Sequence, residues 1–134
     1  MKLTRNIRLG ILIVLLFSAW LGIRKLNADG IWFDEWWSLY VSGADQFAIS
    51  RAPDAIWTRI TEEDIRQGVL YPYALAGWGS AVGWSEFTTR ALSLLGGMVA
   101  LAAVFRLGWA VSKKPLVGLS AAALLGTSVW FIYF

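Results

Sequence analysis

Four long apolar stretches alternate with short polar breaks along the 134 residues, with one large polar interruption after the first stretch. Leu9 to Ile23 is fifteen residues without a charge. A span needs about 20 apolar residues. Arg8 and Arg24 close the gap by snorkelling to the two interfaces. A cleaved signal peptide is the rival reading of this stretch, but Ser18-Ala19-Trp20 lacks the A-x-A spacing of a cleavage site. Gln67 to Ser85 is again free of charge, with Pro72 suited to a first helical turn. Phe87 to Trp109 and Leu116 to Phe134 complete the series, separated by Lys113-Lys114-Pro115.

The pattern predicts an all-α, polytopic membrane helical bundle. Residues 1–8 are expected in the cytoplasm, 9–23 as span 1, 67–84 as span 2, 87–109 as span 3 and 116–134 as span 4. Residues 24–66 form a large extracytoplasmic first loop with short interfacial helices. Within it, Phe33-Asp34 marks a helix start in which Asp34 caps the free N–H groups, and Gly43 marks the stop. Ala55 to Arg66 is expected to form a second helix, with Thr61-Glu62-Glu63-Asp64 as its acidic start. Ser85 is the expected N-cap of the third span. Gly77, Gly79 and Gly83, together with Gly96-Gly97, Ala100, Ala102 and Ala103, offer small-residue packing faces.

Composition agrees with a membrane protein. The chain is 57% hydrophobic and 16% charged, against about 25% charged in soluble domains. It has no Cys and no His. Thiolate chemistry, disulfides and the commonest zinc ligands are therefore excluded. The modest charge of +3 gives no sign of nucleic-acid binding. Eight of the nine acids lie between Arg24 and Arg66, whereas the first eight residues carry only bases. The positive-inside rule then places the N-terminus in the cytoplasm. Four alternating spans put Glu86 inside and Lys113-Lys114 outside. The chain stops within or at the edge of an apolar stretch, so a fragment of something larger or a truncated gene is expected.

Asp34-Glu35, set among Trp32, Phe33, Trp36 and Trp37, is the leading candidate for chemistry. Neighbours on a helix point about 100° apart, so the two carboxylates do not share a proton. Two accounts stand. One carboxylate faces a cavity as a general base, its pKa raised by the surrounding indoles. In that account the other carboxylate caps the helix or pairs with Arg24 or Lys25; alternatively, the pair is a helix cap in a water-exposed loop. Tyr71 and Tyr73 are either interfacial belt residues or the lining of a shared cavity. Arg90 is expected to anchor the cytoplasmic interface, and the other loop charges to be solvated.

Three stretches together resemble a known family. The aromatic-flanked Asp34-Glu35 before Ser38, then Leu70-Tyr71-Pro72-Tyr73, then Gly83-Trp84-Ser85-Glu86-Phe87 with Arg90-Ala91-Leu92-Ser93, are similar in order and spacing to GT-C glycosyltransferases. These include the protein O-mannosyltransferases and the lipid A aminoarabinose transferases. The chain departs from the family in carrying Val69-Leu70 and one proline at the second stretch, and in being several times shorter. The resemblance implies the N-terminal portion of a glycosyltransferase in a bacterial inner or plasma membrane. It implies Asp34 as catalytic base and Glu35 as its positioning partner, with Tyr71, Tyr73 and Trp37 near the substrate. It implies a polyprenyl-phosphate-linked sugar donor, a lipid, glycan or protein acceptor, membrane lipid as partner, and no obligatory metal or cofactor. The alternative is a small non-catalytic membrane subunit packing on a larger partner.

Overall fold

The computed structural model describes residues 4–24, 26, 30–63 and 68–128. They form six α-helices and no strand: α1 Arg5–Ile23, α2 Phe33–Ser42, α3 Pro53–Glu62, α4 Leu70–Val82, α5 Glu86–Ser112 and α6 Pro115–Gly126. A single 3-10 turn, Asp45–Phe47, follows α2. The chain divides into two compact units. The first comprises residues 1–28 and 93–134, the second residues 29–92, and α5 contributes to both.

In the first unit, α1 and α5 run antiparallel. Gly22 lies against Leu94 at one end, and Ile7 joins Phe105 and Ala122 in a buried cluster at the other. Helix α6 follows α1 in parallel, with Gly10 against Leu119 and the Ser18 hydroxyl donating to the Gly126 carbonyl at 3.3 Å. The ridge that makes this possible is Gly118-x-x-x-Ala122-x-x-x-Gly126, in which all three small residues are buried. A methyl group on Gly108 would sit 2.9 Å from the Gly118 Cα. Helices meet this closely only where side chains are missing. Of the small residues expected to pack, Gly79 does so in the second unit, where a Cβ would run into the Trp84 ring, whereas Gly77, Gly83 and Gly96 have nothing within 4 Å of a would-be Cβ.

Two described helices have the length and composition of membrane spans, α1 and α5. Only 6% and 11% of the residues in their most apolar stretches are buried, unlike the mostly buried core helices of a soluble protein. Large apolar side chains cover their outer faces, among them Ile13, Leu16, Val99, Leu107 and Val111. Helix α4, expected as the second span, has 13 residues. That is about 20 Å against a hydrocarbon core of about 30 Å. It packs on α2 and α3 within the second unit. Helix α6 has 12 residues to Gly126, and the end of the expected fourth span, 129–134, lies outside the described residues.

Spans 1 and 3 of a four-span alternation run parallel, but α1 and α5 do not. Arg5 and Arg8 therefore share an end of the unit with Arg106, Lys113 and Lys114, because Ile7, Phe105 and Trp109 belong to one cluster.

The second unit is built by α2, α3, α4 and the first turns of α5. Val41, Ile56, Ile60 and Ala76 form one buried cluster, flanked by Trp37, Tyr40 and Tyr73. Leu39, Ala44 and Leu75 form another, flanked by Phe47, Trp84 and Leu92. Gly43 ends α2 in the left-handed region at φ 75°, as expected of a C-terminal glycine. Pro53 occupies the first turn of α3, so that helix begins two residues before the expected Ala55. Thr61, Glu62 and Glu63 stand at its end, not at a helix start. Asp64 and Arg66 lie outside the described residues. Ser85 caps α5 as expected, its Oγ accepting the Thr88 N–H at 3.2 Å.

Candidate functional site

The centre of the site is an ion pair across 55 residues of sequence. The Arg90 Nε donates to Glu35 Oε1 at 2.7 Å, and its Nη2 donates to Oε2 at 2.8 Å. Nη2 also donates to the Gly30 carbonyl at 3.0 Å. Glu35 Oε2 in turn accepts the backbone N–H of Trp32 at 3.0 Å. Glu35 is the third residue of α2, so its side chain reaches back to the N-cap position and satisfies one of the helix's orphan donors. The capping acid is therefore Glu35, not Asp34. The two-toothed geometry is the strong form of arginine–carboxylate pairing.

Electrostatics at Glu35 runs opposite to the indole-desolvation expectation. The Arg90 hydrogen bonds hold its carboxyl below the ordinary glutamate range, and partial burial offsets this only in part. Glu35 is a fixed anion. Arg90, expected as an interfacial anchor, is a half-buried structural cation, its side chain 14% exposed.

Asp34 is exposed on the first turn of α2. Among the described residues its carboxylate takes no hydrogen bond or ion pair. Only its backbone carbonyl is engaged, by the Ser38 hydroxyl at 2.9 Å. The neighbouring Trp32 and Phe33 are 66% and 75% exposed, so they do not enclose it. Behind Asp34 stands an aromatic stack. Trp36 meets Phe47 edge-on at 4.9 Å and lies parallel to Tyr40 at 6.0 Å. Trp37 leans on Phe33 and Tyr40.

Trp37 and Tyr73 are brought together around the Val41 cluster. The Tyr73 hydroxyl donates to the Pro53 carbonyl at 2.7 Å, tying α4 to the start of α3. The Trp37 indole N–H is buried and has no hydrogen-bond partner among the described residues. Tyr71 is 39% exposed and does not join that cluster. Tyr40 donates to Glu63 at 3.4 Å, and this bond keeps its hydroxyl protonated above the ordinary tyrosine range.

Two loop bases expected in solvent are structural. Arg59 is 8% exposed. Its Nε donates to the Val41 carbonyl at 3.0 Å and its Nη2 to the Ser50 carbonyl at 2.7 Å. A cation there answers the free carbonyls and the negative end of α2. Arg51 pairs with Asp45, donates to Ser80 at 3.1 Å and covers the Trp84 ring. The i, i+3, i+4 spacing of Ile56, Arg59 and Ile60 on one face is the sequence signal for Arg59, since a base on an apolar helix face must find carbonyls or acids. For Arg90, the only signal was its place in the Gly83–Ser93 stretch.

No group of three or more potential metal ligands converges among the described residues. The chain matches no protein-family model, no curated protein and no solved structure.

Proposed function

We propose that the chain is part of a membrane glycosyltransferase that uses a polyprenyl-phosphate-linked sugar, with Asp34 as general base. The observation that supports this reading most is the division of labour between adjacent acids. Glu35 is consumed by Arg90 and the Trp32 N–H, whereas Asp34, one residue away, is left exposed. The clamp also joins two of the stretches on which the GT-C resemblance rests, Asp34-Glu35 and Gly83–Ser93.

In the proposed step, Asp34 takes a proton from the acceptor hydroxyl or amine. The acceptor atom attacks the anomeric carbon of the sugar, and the polyprenyl phosphate leaves with the electron pair of the broken C–O bond, inverting the centre. Glu35 acts on the reaction only by fixing the first turn of α2. Neutralising the leaving phosphate falls to cations of Arg or Lys type outside this unit.

The test uses membranes carrying the native gene product, with radiolabelled sugar on polyprenyl phosphate. Asp34→Asn is expected to lower transfer by at least about 100-fold, the usual worth of a general base, while insertion stays normal. Full transfer by this variant sinks the reading. The intact mass of the native product, compared with the 14.9 kDa of this chain, tells whether the later spans of such an enzyme belong to the same polypeptide.

A second reading, a packing subunit without catalysis, is favoured by one observation. Gly96, Ala100 and Ala103 form an exposed stripe on α5, and the space over Gly96 is open. Gly96→Leu releasing a co-purifying partner, with Asp34→Asn silent, is the outcome that selects it.

A further inference from the structure

The first unit contains no Asp or Glu at all, although it holds eight of the twelve bases. Its cations therefore have no side-chain carboxylate within the unit to neutralise them. Five described ones gather at one end: Arg5 and Arg8 on α1, Arg106 on α5, and Lys113 and Lys114 beyond it. The gathering follows from packing, because Ile7 of α1 enters the cluster of Phe105 and Trp109.

At that end lies an open hollow of about 290 Å³ lined by Arg106, Trp109, Ala110 and Lys113. Both cations line the hollow, Arg106 from the penultimate turns of α5 and Lys113 from the first residue past its end. Trp109 and Ala110 form the wall between them. The Arg106 guanidinium lies 5.1 Å from the Trp109 ring centroid. Tryptophan beside arginine is the composition of a headgroup-level interface. The backbone gives the hollow its lower edge: Lys113 turns out of the helix at φ 59°, and its N–H donates to the Trp109 carbonyl at 2.9 Å.

We propose that this hollow binds the phosphate of an anionic phospholipid, held by Arg106 and Lys113 with the lipid chains lying along the apolar face of α5. Charge decides for an anion. The C-terminal end of α5 contributes about half a negative charge, against five cations at the same end of the unit. The setting decides for a lipid. Leu107 and Val111, on the same stretch of α5, are 64% and 76% exposed, which suits acyl chains and not a water-soluble phosphate. Basic hollows at the ends of spans are where anionic headgroups gather. The site is independent of Asp34 and of any transferase activity.

Native mass spectrometry of the full chain in uncharged detergent tests this, with phosphatidylglycerol and phosphatidylcholine as probes. Phosphatidylglycerol is expected to be retained in preference. Arg106→Gln/Lys113→Gln should weaken its retention by roughly 25-fold, about fivefold per charge. Arg106→Lys should keep most of it. Arg5→Gln/Arg8→Gln removes the same charge from the same end and should cost less than the hollow variant. Equal losses from the two double variants overturn the site in favour of diffuse attraction. Equal retention of the two lipids overturns it outright. Displacement of the lipid by millimolar glycerol phosphate overturns the lipid assignment in favour of a soluble anion.

Discussion

The two units differ in what holds their helices together. The first has no acid and joins α1, α5 and α6 through absent side chains: Gly108 on Gly118, and Gly126 at the Ser18 hydroxyl. The second holds all nine acids and fixes its helices with named polar contacts, Glu35 to Arg90, Arg59 to Val41 and Ser50, Tyr73 to Pro53. The difference follows from solvent. Lipid gives no hydrophobic drive between apolar helices, so close fit must supply the attraction. In the second unit, aromatic and aliphatic burial brings the helices together, and the polar contacts set which helix end meets which.

This contrast is most severely tested at the α5–α6 contact. Gly118→Leu places a side chain against the Phe105 carbonyl and the Trp109 backbone, neither of which can move aside as a side chain does. We expect a loss of about 3 kcal/mol or more in the first unit, seen as fast amide exchange in α6, with α2–α4 protected as before. A loss shared equally by α2–α4 breaks the division into two kinds of packing.

The counterpart in the second unit is Leu75→Ala, at a side chain 1% exposed. It should cost about 3 kcal/mol and deprotect α2 and α4, with α1 and α6 unchanged. Glu35→Gln comes next, at about 2 kcal/mol, because it takes from the Arg90 guanidinium the carboxylate that accepts two of its N–H bonds. It carries a pH signature as well. The folded-state pKa of Glu35 is depressed, so its contribution is complete above the ordinary glutamate value of about 4.3. It is lost as pH falls through the folded value. The native chain should lose stability over that acid window, and the Gln variant should show a flatter profile there. Parallel profiles would mean that the clamp contributes nothing. The smallest effect on stability is expected from Asp34→Asn, within about 0.5 kcal/mol by thermal unfolding. That quiet background is what makes its effect on sugar transfer readable.

Part of this was legible in the residues. The apolar runs ending at Ile23 and around Trp109 announce two helices of spanning length. Gly43 and Ser85 announce a helix end and a helix start, since left-handed backbone and N-cap acceptors are local requirements. Glu35 shows the limit. An acid at the third position of a helix can be assigned a capping role locally, but its partner Arg90 is 55 residues away and no local rule selects it over Arg24 or Lys25.

What the sequence determined by itself is set by local chemistry and by composition: helices throughout, apolar α1 and α5, and acids segregated from the residues that form the first unit. What only the tertiary structure decided are pairings between distant segments. They are the antiparallel run of α1 against α5, the packing of α4 on α2 and α3, the choice of Gly118, Ala122 and Gly126 as the close-packed ridge of the first unit, and the allocation of Glu35 to Arg90. Hydropathy measures how apolar a segment is. Whether lipid or another helix covers it depends on which surfaces fit, and that is a property of two segments at once.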